Sequence, residues 1–417
     1  MNAAAPAIGT PTASAAPAGA ATPWPRAREL ARRAGSRRPG PAVDSELPEA
    51  LGRSLADPLT ALTDLPAFDT SAMDGWAVAG PGPWRLAGRL LAGRTPPPLA
   101  DGWATEIATG AQLPPGATAV LRREHGRVSH PTPATSTLHP LPEAQLAPGQ
   151  DVRPRGQECG RGEELLPAGT PVTAAVLGLA AACGYDRLSV RRPPTVELLV
   201  LGDELLEAGL PGPGLVRDAL GPLLQPWLLA NGAELLARRA VRDDFALLRD
   251  AIRHSPAEVV VTTGATAAGP VDFLHAALAE TGARLLVDGV AVRPGHPMLL
   301  AELPCAQPGG APRHLVGLPG NPLAAVAGAV TLALPLLHAL SGRRLGGGRF
   351  VRTAEALPGH PTDTRLLPVR LTADGPLPLA FDGPAMLRGL ALADALAVVP
   401  PGGCAAGERV ELLDTPA

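Results

Sequence analysis

Acidic residues stand at several places where a strand pattern ends or a helix pattern begins. Glu204 follows an apolar strand pattern, while Asp218, Asp243 and Asp272 each precede a helix pattern. An aspartate in front of a helix is usually an N-cap, whose carboxylate binds the first free amide groups. Several carboxylates at the strand ends of one sheet could instead converge on a hard cation such as Mg²⁺. Spacing alone does not decide between these two roles.

A loop of small residues, 261–272, joins a predicted strand to a predicted helix. Its glycines, Gly264 and Gly269, would let a phosphate approach the backbone close to a helix N-terminus, which favours negative charge. The loop lacks the Gly-Lys-Ser/Thr ending of a P-loop. By itself it therefore indicates an anion site only weakly.

Two later loops contain both proline and glycine, and their sequences are Arg293-Pro294-Gly295-His296-Pro297 and Leu318-Pro319-Gly320-Asn321-Pro322. The prolines restrict the first loop, which presents Arg293 and His296. Arginine suits the bidentate binding of phosphate or another oxyanion. Asn321 stands between a strand end and a helix start, so it is a helix N-cap, a residue that faces a ligand, or both.

Two polar turns occur earlier in the chain. Asp, Ser and Gly cluster between apolar runs in residues 65–78, which include Ser71 and Asp74. In the second turn Thr109 precedes Gly110, where a hydroxyl and neighbouring amide groups could bind an anion. Taken singly, each segment is more typical of an ordinary turn than of a ligand site.

The elements that would position these residues change character along the chain. Residues 193–340 alternate strand and helix patterns, which is typical of an open, mostly parallel sheet that binds ligands at the carboxyl ends of its strands. Short apolar runs broken by Pro and Gly indicate an irregular β domain over residues 68–155. Short strand patterns return in residues 344–417 and predict a small β domain. Residues 1–22 are predicted to be a disordered tail.

The composition favours a folded protein and argues against several other classes. The 417 residues include 48 Gly, 50 Pro and no lysine, yet 46% are hydrophobic, which is enough for a sizeable core. A net charge of −3 argues against a nucleic-acid partner bound through its phosphates. The cysteines have neither metal-ligand nor disulfide spacing. The apolar run Leu323–Leu340 contains Pro335 and is predicted to be a core helix rather than a membrane span. Residues 1–22 do not resemble a signal peptide, so the expected location is the cytoplasm.

Taken together, these motifs have a family resemblance. The segments 65–78, 108–117, 261–272, 293–297 and 318–322 occur in this order, and Gly202-Asp203-Glu204-Leu205 lies between the second and the third. In this combination the sequence resembles the MoeA-type molybdopterin molybdenumtransferases, whose eukaryotic relatives include the gephyrin E domain. The resemblance covers roughly residues 25–415.

The resemblance implies a multidomain α/β fold and a homodimer. An open, mostly parallel α/β molybdopterin-binding domain would span residues 193–343, and a β-rich domain, 43–156, would be inserted earlier. Residues 23–42 and 157–192 would form a linking and dimerisation domain. Residues 344–417 would form a small C-terminal β-barrel. Other molybdenum-cofactor proteins are implied as further partners.

The implied reaction is the insertion of molybdate into adenylylated molybdopterin, with Mg²⁺-dependent release of AMP. Pterin phosphate and molybdate are anions, which glycine loops, helix N-termini and arginines bind well. Magnesium binds carboxylates and offsets the charge that develops when water attacks a phosphoanhydride.

The family's site residues are carried over by matching motif positions. The implied catalytic residues are Asp74, Glu158, Glu204, Asp243 and Asp272, of which Glu204, Asp243 and Asp272 would hold Mg²⁺. The residues implied to bind the pterin nucleotide and molybdate are Ser71, Thr109, Gly110, Asp218, Gly264, Gly269, Arg293, Pro294, Gly295, His296, Pro319, Gly320 and Asn321.

Several positions depart from the family pattern. Ala265 and Ala267 replace a glycine and a serine of the 261–272 loop, His296 replaces a lysine, and Pro384 replaces a serine. The acidic residues are thus better retained than the hydroxyls and cations. Two alternatives follow. One is a catalytically impaired paralogue that binds a pterin nucleotide or serves as a delivery or scaffold partner. The other is a small-molecule sensor on the same scaffold.

Overall fold

The computed structural model describes residues 21–132, 135–266, 273–305, 312–344 and 348–416. Residues 1–20 of the predicted tail lie outside the described residues, as do the predicted site residues Gly269 and Asp272. Thr22, the last residue of the predicted tail, begins a short strand that pairs with Val290.

The helices and strands are numbered in chain order. The helices are α1 (Trp24–Ser36), α2 (Leu47–Ala50), α3 (Ala174–Ala182), α4 (Leu220–Ala230), α5 (Phe245–His254), α6 (Leu274–Glu280), α7 (Pro322–Gly328), α8 (Leu334–Leu340) and α9 (Arg388–Leu392), with a 3₁₀ turn at Arg123–His125 and a π-helical segment at Ala329–Ala333. The strands are β1 (Thr22–Pro23), β2 (Ala42–Glu46), β3 (Leu59–Thr60), β4 (Thr70–Ser71), β5 (Gly75–Val78), β6 (Trp84–Leu90), β7 (Trp103–Ile107), β8 (Ala119–Arg122), β9 (Gly126–Thr132), β10 (Thr135–Pro140), β11 (Val152–Arg153), β12 (Glu164–Leu166), β13 (Arg187–Arg191), β14 (Thr195–Leu201), β15 (Leu205–Leu206), β16 (Val216–Arg217), β17 (Glu234–Val241), β18 (Val259–Thr263), β19 (Arg284–Asp288), β20 (Val290–Arg293), β21 (Leu299–Leu303), β22 (Arg313–Leu318), β23 (Arg349–Arg352), β24 (Thr364–Thr372), β25 (Gly375–Pro378), β26 (Ala395–Val399) and β27 (Arg409–Leu413).

The chain divides into two compact units. The first comprises Met1–Ala42, Gly52–Ser54 and Arg191–Ala417, and the second comprises Val43–Leu51 and Leu55–Val190. The finer division into four domains stays a prediction.

The α/β sheet of the first unit has the strand order β17-β14-β18-β22-β21-β19. The first four strands run parallel to one another, β21 runs antiparallel to β22, and β19 runs antiparallel to β21. The predicted mostly parallel sheet is therefore confirmed. Successive residues of β14 pack into different core clusters, Leu198 on one face and Leu199 on the other, because helices cover both faces. The order reverses at β14, since β17 and β18 lie on opposite sides of it. Sheets of this kind bind ligands at the strand carboxyl ends beside such a reversal.

One long helical stretch, Pro322–Leu340, contributes many residues to the largest hydrophobic cluster of the first unit. It is long and apolar enough to cross a membrane, but 94% of its most apolar window is buried inside the protein, so the predicted core helix is confirmed. The π-helical segment Ala329–Ala333 interrupts it. Helix α1 packs there: the indole N–H of Trp24 donates to Thr331 Oγ1 at 3.0 Å, and Arg28 donates to the carbonyl of Val330 at 2.7 Å.

The last strands of the chain belong to a seven-stranded mixed sheet. Its order is β1-β20-β24-β26-β27-β23, with β25 paired to β24. The predicted C-terminal β region is therefore present. The sheet also takes in β1 from the start of the chain and β20, which leads directly into the loop that begins at Arg293.

The second unit contains a six-stranded sheet of order β8-β5-β7-β6-β10-β9, which confirms the predicted irregular β region. Only the β6–β7 pair is parallel within this sheet. Its core contains Trp76 and Trp84. Strand β5 lies between β8 and β7 and carries the polar turn of residues 70–74 at its start.

Candidate active site

Loops at the carboxyl ends of the parallel strands form the first part of the candidate site. The amide of Gly264, after β18, donates to the carbonyl of Leu318 at 2.8 Å, at the end of the neighbouring strand β22. A Cβ on Gly320 would lie 3.6 Å from the Cα of Gly264. The two glycine loops are therefore adjacent because their strands are parallel neighbours.

Carboxylates lie at the ends of β14 and β17, as the sequence predicted. The amide of Asp203 donates to Asp243 Oδ2 at 3.2 Å, and Arg242 Nε donates to Asp203 Oδ1 at 3.1 Å. The bond from Arg242 lowers the pKa of Asp203. Glu204 and Asp243 are exposed. Of the two roles left open for Asp243, the helix cap belongs to its neighbour, because Asp244 Oδ1 accepts the amide of Leu247 at 2.8 Å.

The fit of these carboxylates to Mg²⁺ can be judged from their chemistry. Carboxylate oxygens are the hard ligands that Mg²⁺ takes, with water completing its shell. Glu204 and Asp243 follow neighbouring strands and have exposed side chains. Across the described ranges, no group of three His, Cys, Asp or Glu residues could hold a metal together. Asp272, the third predicted ligand, lies outside those ranges. The two described carboxylates, Glu204 and Asp243, are the type of ligand that Mg²⁺ binds.

Asp218 has a different setting from the exposed carboxylates. It is buried, its Oδ1 accepts the amide of Gly221 at 3.0 Å in the first turn of α4, and its Oδ2 accepts Arg238 at 3.0 Å. Protein donors thus occupy both oxygens, which is the helix-start role that the sequence left open.

The loop after β20 is anchored at two side chains. Arg293 Nε donates to Asp363 Oδ2 at 2.9 Å, and His296 Nδ1 lies 2.8 Å from the carbonyl of Val290. Because that carbonyl can only accept a hydrogen bond, Nδ1 is the ring nitrogen of His296 that donates it. Gly295 has φ 107°, and a Cβ there would lie 2.9 Å from a methionine methyl and 3.0 Å from the Ala324 carbonyl. The turn therefore requires glycine.

The loop of Pro319, Gly320 and Asn321 leads into α7. Asn321 occupies the N-cap position, but its side chain makes no capping bond and is exposed. The carbonyl of Pro384 accepts the amides of Leu323 at 2.9 Å and Ala324 at 3.2 Å instead. The Asn321 amide group is therefore available to a ligand.

The backbone of Ala265 is strained, since its φ of 52° lies in the left-handed region. The family pattern has a glycine at this position. We expect Ala265→Gly to raise the free energy of unfolding by roughly 0.5–1 kcal/mol, because the left-handed region costs a residue with a Cβ about that much. Chemical denaturation measures the change. Ala276→Gly, on the exposed face of α6, is the control and should lower stability by about 1 kcal/mol. A loss of stability in both variants would contradict the strain.

In the second unit, two predicted residues are in direct contact. Asp74 Oδ1 accepts the Thr109 amide at 2.7 Å and its hydroxyl at 3.0 Å. The bond from the Thr109 amide, followed by that from its hydroxyl, lowers the pKa of Asp74, so this carboxylate is ionised at neutral pH. A polar pocket of about 220 Å³ lies against Asp74 and is also lined by Arg89, Glu106 and Arg123.

Ser71 and Glu158 have other surroundings in the same unit. Ser71 is buried, and its hydroxyl donates to the carbonyl of Met73 at 2.6 Å. Its backbone carbonyl accepts the Gly110 amide at 2.8 Å, which ties the two polar turns together. Glu158 is exposed, and its amide donates to the carbonyl of Leu65 at 2.9 Å.

Sequence reasoning missed some of the charged residues that complete these clusters. Asp203 was quoted only as part of a motif, although it pairs with Arg242. Asp363 and the ion-paired Arg89 and Glu106 were not singled out. The first stands in the Gly-Asp-Glu motif and could have been found, but the others lie in segments without a motif.

The fold and the strand-end loops define an α/β protein of the class whose open sheets bind ligands beside a reversal of strand order. Three family models match in succession: the MoeA N-terminal region (domain I and II) over residues 23–184, a probable molybdopterin binding domain over residues 197–339, and the MoeA C-terminal region (domain IV) over residues 351–415. The chain belongs to the molybdopterin molybdenumtransferase (MoeA) family, enzymes of molybdenum cofactor biosynthesis. The family, the function class and the fold predicted from the sequence are thereby confirmed.

Individual relatives agree with the family models. A molybdopterin molybdenumtransferase of Synechococcus elongatus is 34% identical over 69% of this chain and 72% of its own length. One of Staphylococcus epidermidis is 27% identical over 89% of this chain and 91% of its own length. The crystal structure of a molybdopterin biosynthesis MoeA protein from Pyrococcus horikosii has a TM-score of 0.70 and 26% identity, and the match covers 94% of this chain and 98% of that one.

Proposed function

We propose that this protein inserts molybdate into adenylylated molybdopterin and releases AMP in a step that requires Mg²⁺. The main support is the pair of adjacent glycine loops beside exposed carboxylates at the strand ends of the α/β sheet. Glycine loops admit phosphate oxygens to backbone amides, and the neighbouring carboxylates supply ligands for a divalent cation.

Glu204 and Asp243 would hold Mg²⁺, together with Asp272. When bound, the ion offsets the negative charge that develops on the phosphoanhydride during its cleavage. The Asp203 amide fixes the Asp243 carboxylate from one side, and Arg242 holds Asp203 in turn. This support orients Asp243 without using its second oxygen.

Arg293 and Asn321 would bind the anionic substrates. Arg293 offers a guanidinium to an oxyanion, and Asn321 offers an amide group at the start of α7. In the second unit Asp74 is ionised and held by Thr109, which suits it to accept a hydrogen bond from a ligand. Asp74 and Glu158 stay assigned as catalytic carboxylates in this proposal.

The partners and location follow from the resemblance. We propose a homodimer in the cytoplasm that binds a pterin nucleotide and passes its product to other molybdenum-cofactor proteins.

A pair of adjacent aspartates gives the sharpest test. Asp243→Asn is expected to lower Mg²⁺-dependent AMP release at least about a hundredfold, because an amide is a poorer ligand than a carboxylate for Mg²⁺. Asp244→Ser is the matched control: it keeps a capping side chain in front of α5 and should leave the rate within about twofold. AMP is measured after incubation with molybdate, adenylylated molybdopterin and Mg²⁺.

The results separate this proposal from its alternative. Equal rates in Asp243→Asn and the wild-type protein would remove Asp243 from the metal site. Absence of AMP release from the wild-type protein, with nucleotide binding retained, would favour the impaired paralogue. Pro384 and His296, which stand where the resemblance has a serine and a lysine, would then account for the lost activity.

A further inference from the structure

Arg293 is held at one edge of its guanidinium only. Its Nε donates to Asp363 Oδ2 at 2.9 Å, and within the described part of the chain its two terminal nitrogens have no partner. The Arg293 side chain is 50% exposed, whereas that of Asp363 is 13% exposed. The guanidinium is thus gripped from the protein side, and its two terminal amino groups remain for a ligand.

Asp363 is itself fixed by its own loop, residues 360–363, just before β24. Thr362 Oγ1 donates to Asp363 Oδ1 at 3.1 Å, and the Asp363 amide donates to His360 Nδ1 at 3.1 Å. One carboxylate oxygen is therefore committed to Thr362, and the other is directed at Arg293. A side chain locked in this way can orient a flexible arginine.

The strand pairing explains how two distant segments meet. Strand β20 ends at Arg293 and runs parallel to β24, with Val292 opposite Thr364. Asp363 precedes β24 by one residue, so in this register it lies level with Ala291, two residues before Arg293 on the same strand. The contact comes from the C-terminal sheet and is independent of the glycine loops.

We propose that Asp363 is a positioning residue that orients Arg293 so that its terminal nitrogens bind a tetrahedral oxyanion of the substrates. This inference rests on the proposed function and deepens it, because it brings the C-terminal sheet into substrate binding. The oxyanion is either molybdate or a phosphate of the pterin nucleotide, which share shape and charge. A pre-oriented guanidinium loses less conformational entropy on binding than a free one.

The test separates binding from turnover. Asp363→Asn is expected to raise one KM about tenfold while kcat stays within about twofold, because a loosened Arg293 weakens binding without altering the reacting groups. A rise in the KM for molybdate assigns the oxyanion as molybdate, and a rise in the KM for adenylylated molybdopterin assigns it as phosphate. Asp363→Glu should restore part of the loss, since it keeps the charge.

A double-variant cycle distinguishes orientation from a structural effect. Arg293→Gln should raise the same KM, and adding Asp363→Asn to it should change nothing more. Asp382→Asn is the matched control. Asp382 Oδ2 lies 2.6 Å from a terminal nitrogen of Arg365, the residue opposite Arg293 on β24, and the substitution does not touch Arg293. It should leave both KM values unchanged.

Equilibrium binding makes the inference independent of turnover. Titration calorimetry with molybdate alone, and separately with inorganic phosphate, should show weaker binding of one anion by Asp363→Asn than by the wild-type protein. If the wild-type protein releases no AMP, the proposed function fails and this titration still tests Asp363. Unchanged or tighter binding in Asp363→Asn, or effects that add to those of Arg293→Gln, would overturn the inference. Should Asp363→Asn not fold, Thr362→Val replaces it, with a smaller loss expected.

Discussion

Between about pH 7 and about pH 4.5 the free energy of unfolding is expected to fall by about 5 kcal/mol, because two histidines are buried in their neutral form. His314 lies on β22, and within the described residues neither of its ring nitrogens has a partner. Burial lowers the pKa of His314 to about 4, against the attraction of Glu302 and with the repulsion of Arg37.

The second histidine is on the core helix. His338 lies 3.1 Å from Asn231 Oδ1, and burial lowers its pKa to about 4, helped by the charges of Arg343 and Arg28. In an unfolded chain a histidine has a pKa of about 6.5. The unfolded chain therefore binds up to two more protons than the folded one between these values. The contribution of these two histidines to the free energy of unfolding is complete above about pH 6.5 and is lost as the pH falls towards 4.

Substitution identifies the contribution of one histidine. His314→Leu is expected to remove about half of the pH dependence and to add about 1–2 kcal/mol at neutral pH, because it removes two buried polar atoms that lack partners. Urea denaturation at a series of pH values measures both effects. His254→Gln, at an exposed position, is the control and should leave the slope unchanged. A full slope in His314→Leu would show that other titrating groups, rather than His314, cause the acid sensitivity.

Gly75→Ala is expected to cost about 3–5 kcal/mol in the second unit. Gly75 lies on β5, between β7 and β8, and a Cβ there would be 2.0 Å from the carbonyl oxygen of Leu121. That oxygen belongs to the backbone, so only a separation of the two strands can relieve the clash. Asp74 is the preceding residue, and its carbonyl accepts the amide of Arg123 at 3.1 Å. We therefore expect the contact between Asp74 and Thr109 to be lost as well.

Calorimetry and tryptophan fluorescence measure this effect, since Trp76 and Trp84 lie in the affected core. Gly178→Ala is the matched control in the same unit. Gly178 lies within α3, has open space around its Cβ position, and should gain up to about 1 kcal/mol from the better helix propensity of alanine. A Gly75→Ala variant as stable as the wild-type protein would show that β5 and β8 can separate at little cost.

Much of the candidate site could be predicted because its residues stand in short local patterns. Glycine loops and carboxylates follow apolar strands, and parallel strands bring their ends to one edge whatever lies between them in sequence. Gly264 and Gly320 are 56 positions apart and nevertheless adjacent for this reason. The assignment of individual roles was harder. Asp243 and Asp244 are both aspartates directly before a helix pattern, so the sequence does not distinguish them. Only the backbone geometry at α5 decides that Asp244 caps the helix.

By itself, the sequence determined the family, the alternation of strands and helices in residues 193–340, and the motif residues that stand at the strand ends. The tertiary structure alone decided which polar groups are already used. Asp218 is committed to Arg238 and α4, whereas the Asn321 side chain makes no capping bond. It alone also joined Arg293 to Asp363, 70 positions further along the chain. The physical reason is that local patterns encode strands and turns, whereas hydrogen-bond partners depend on which distant segments the packed sheets bring together.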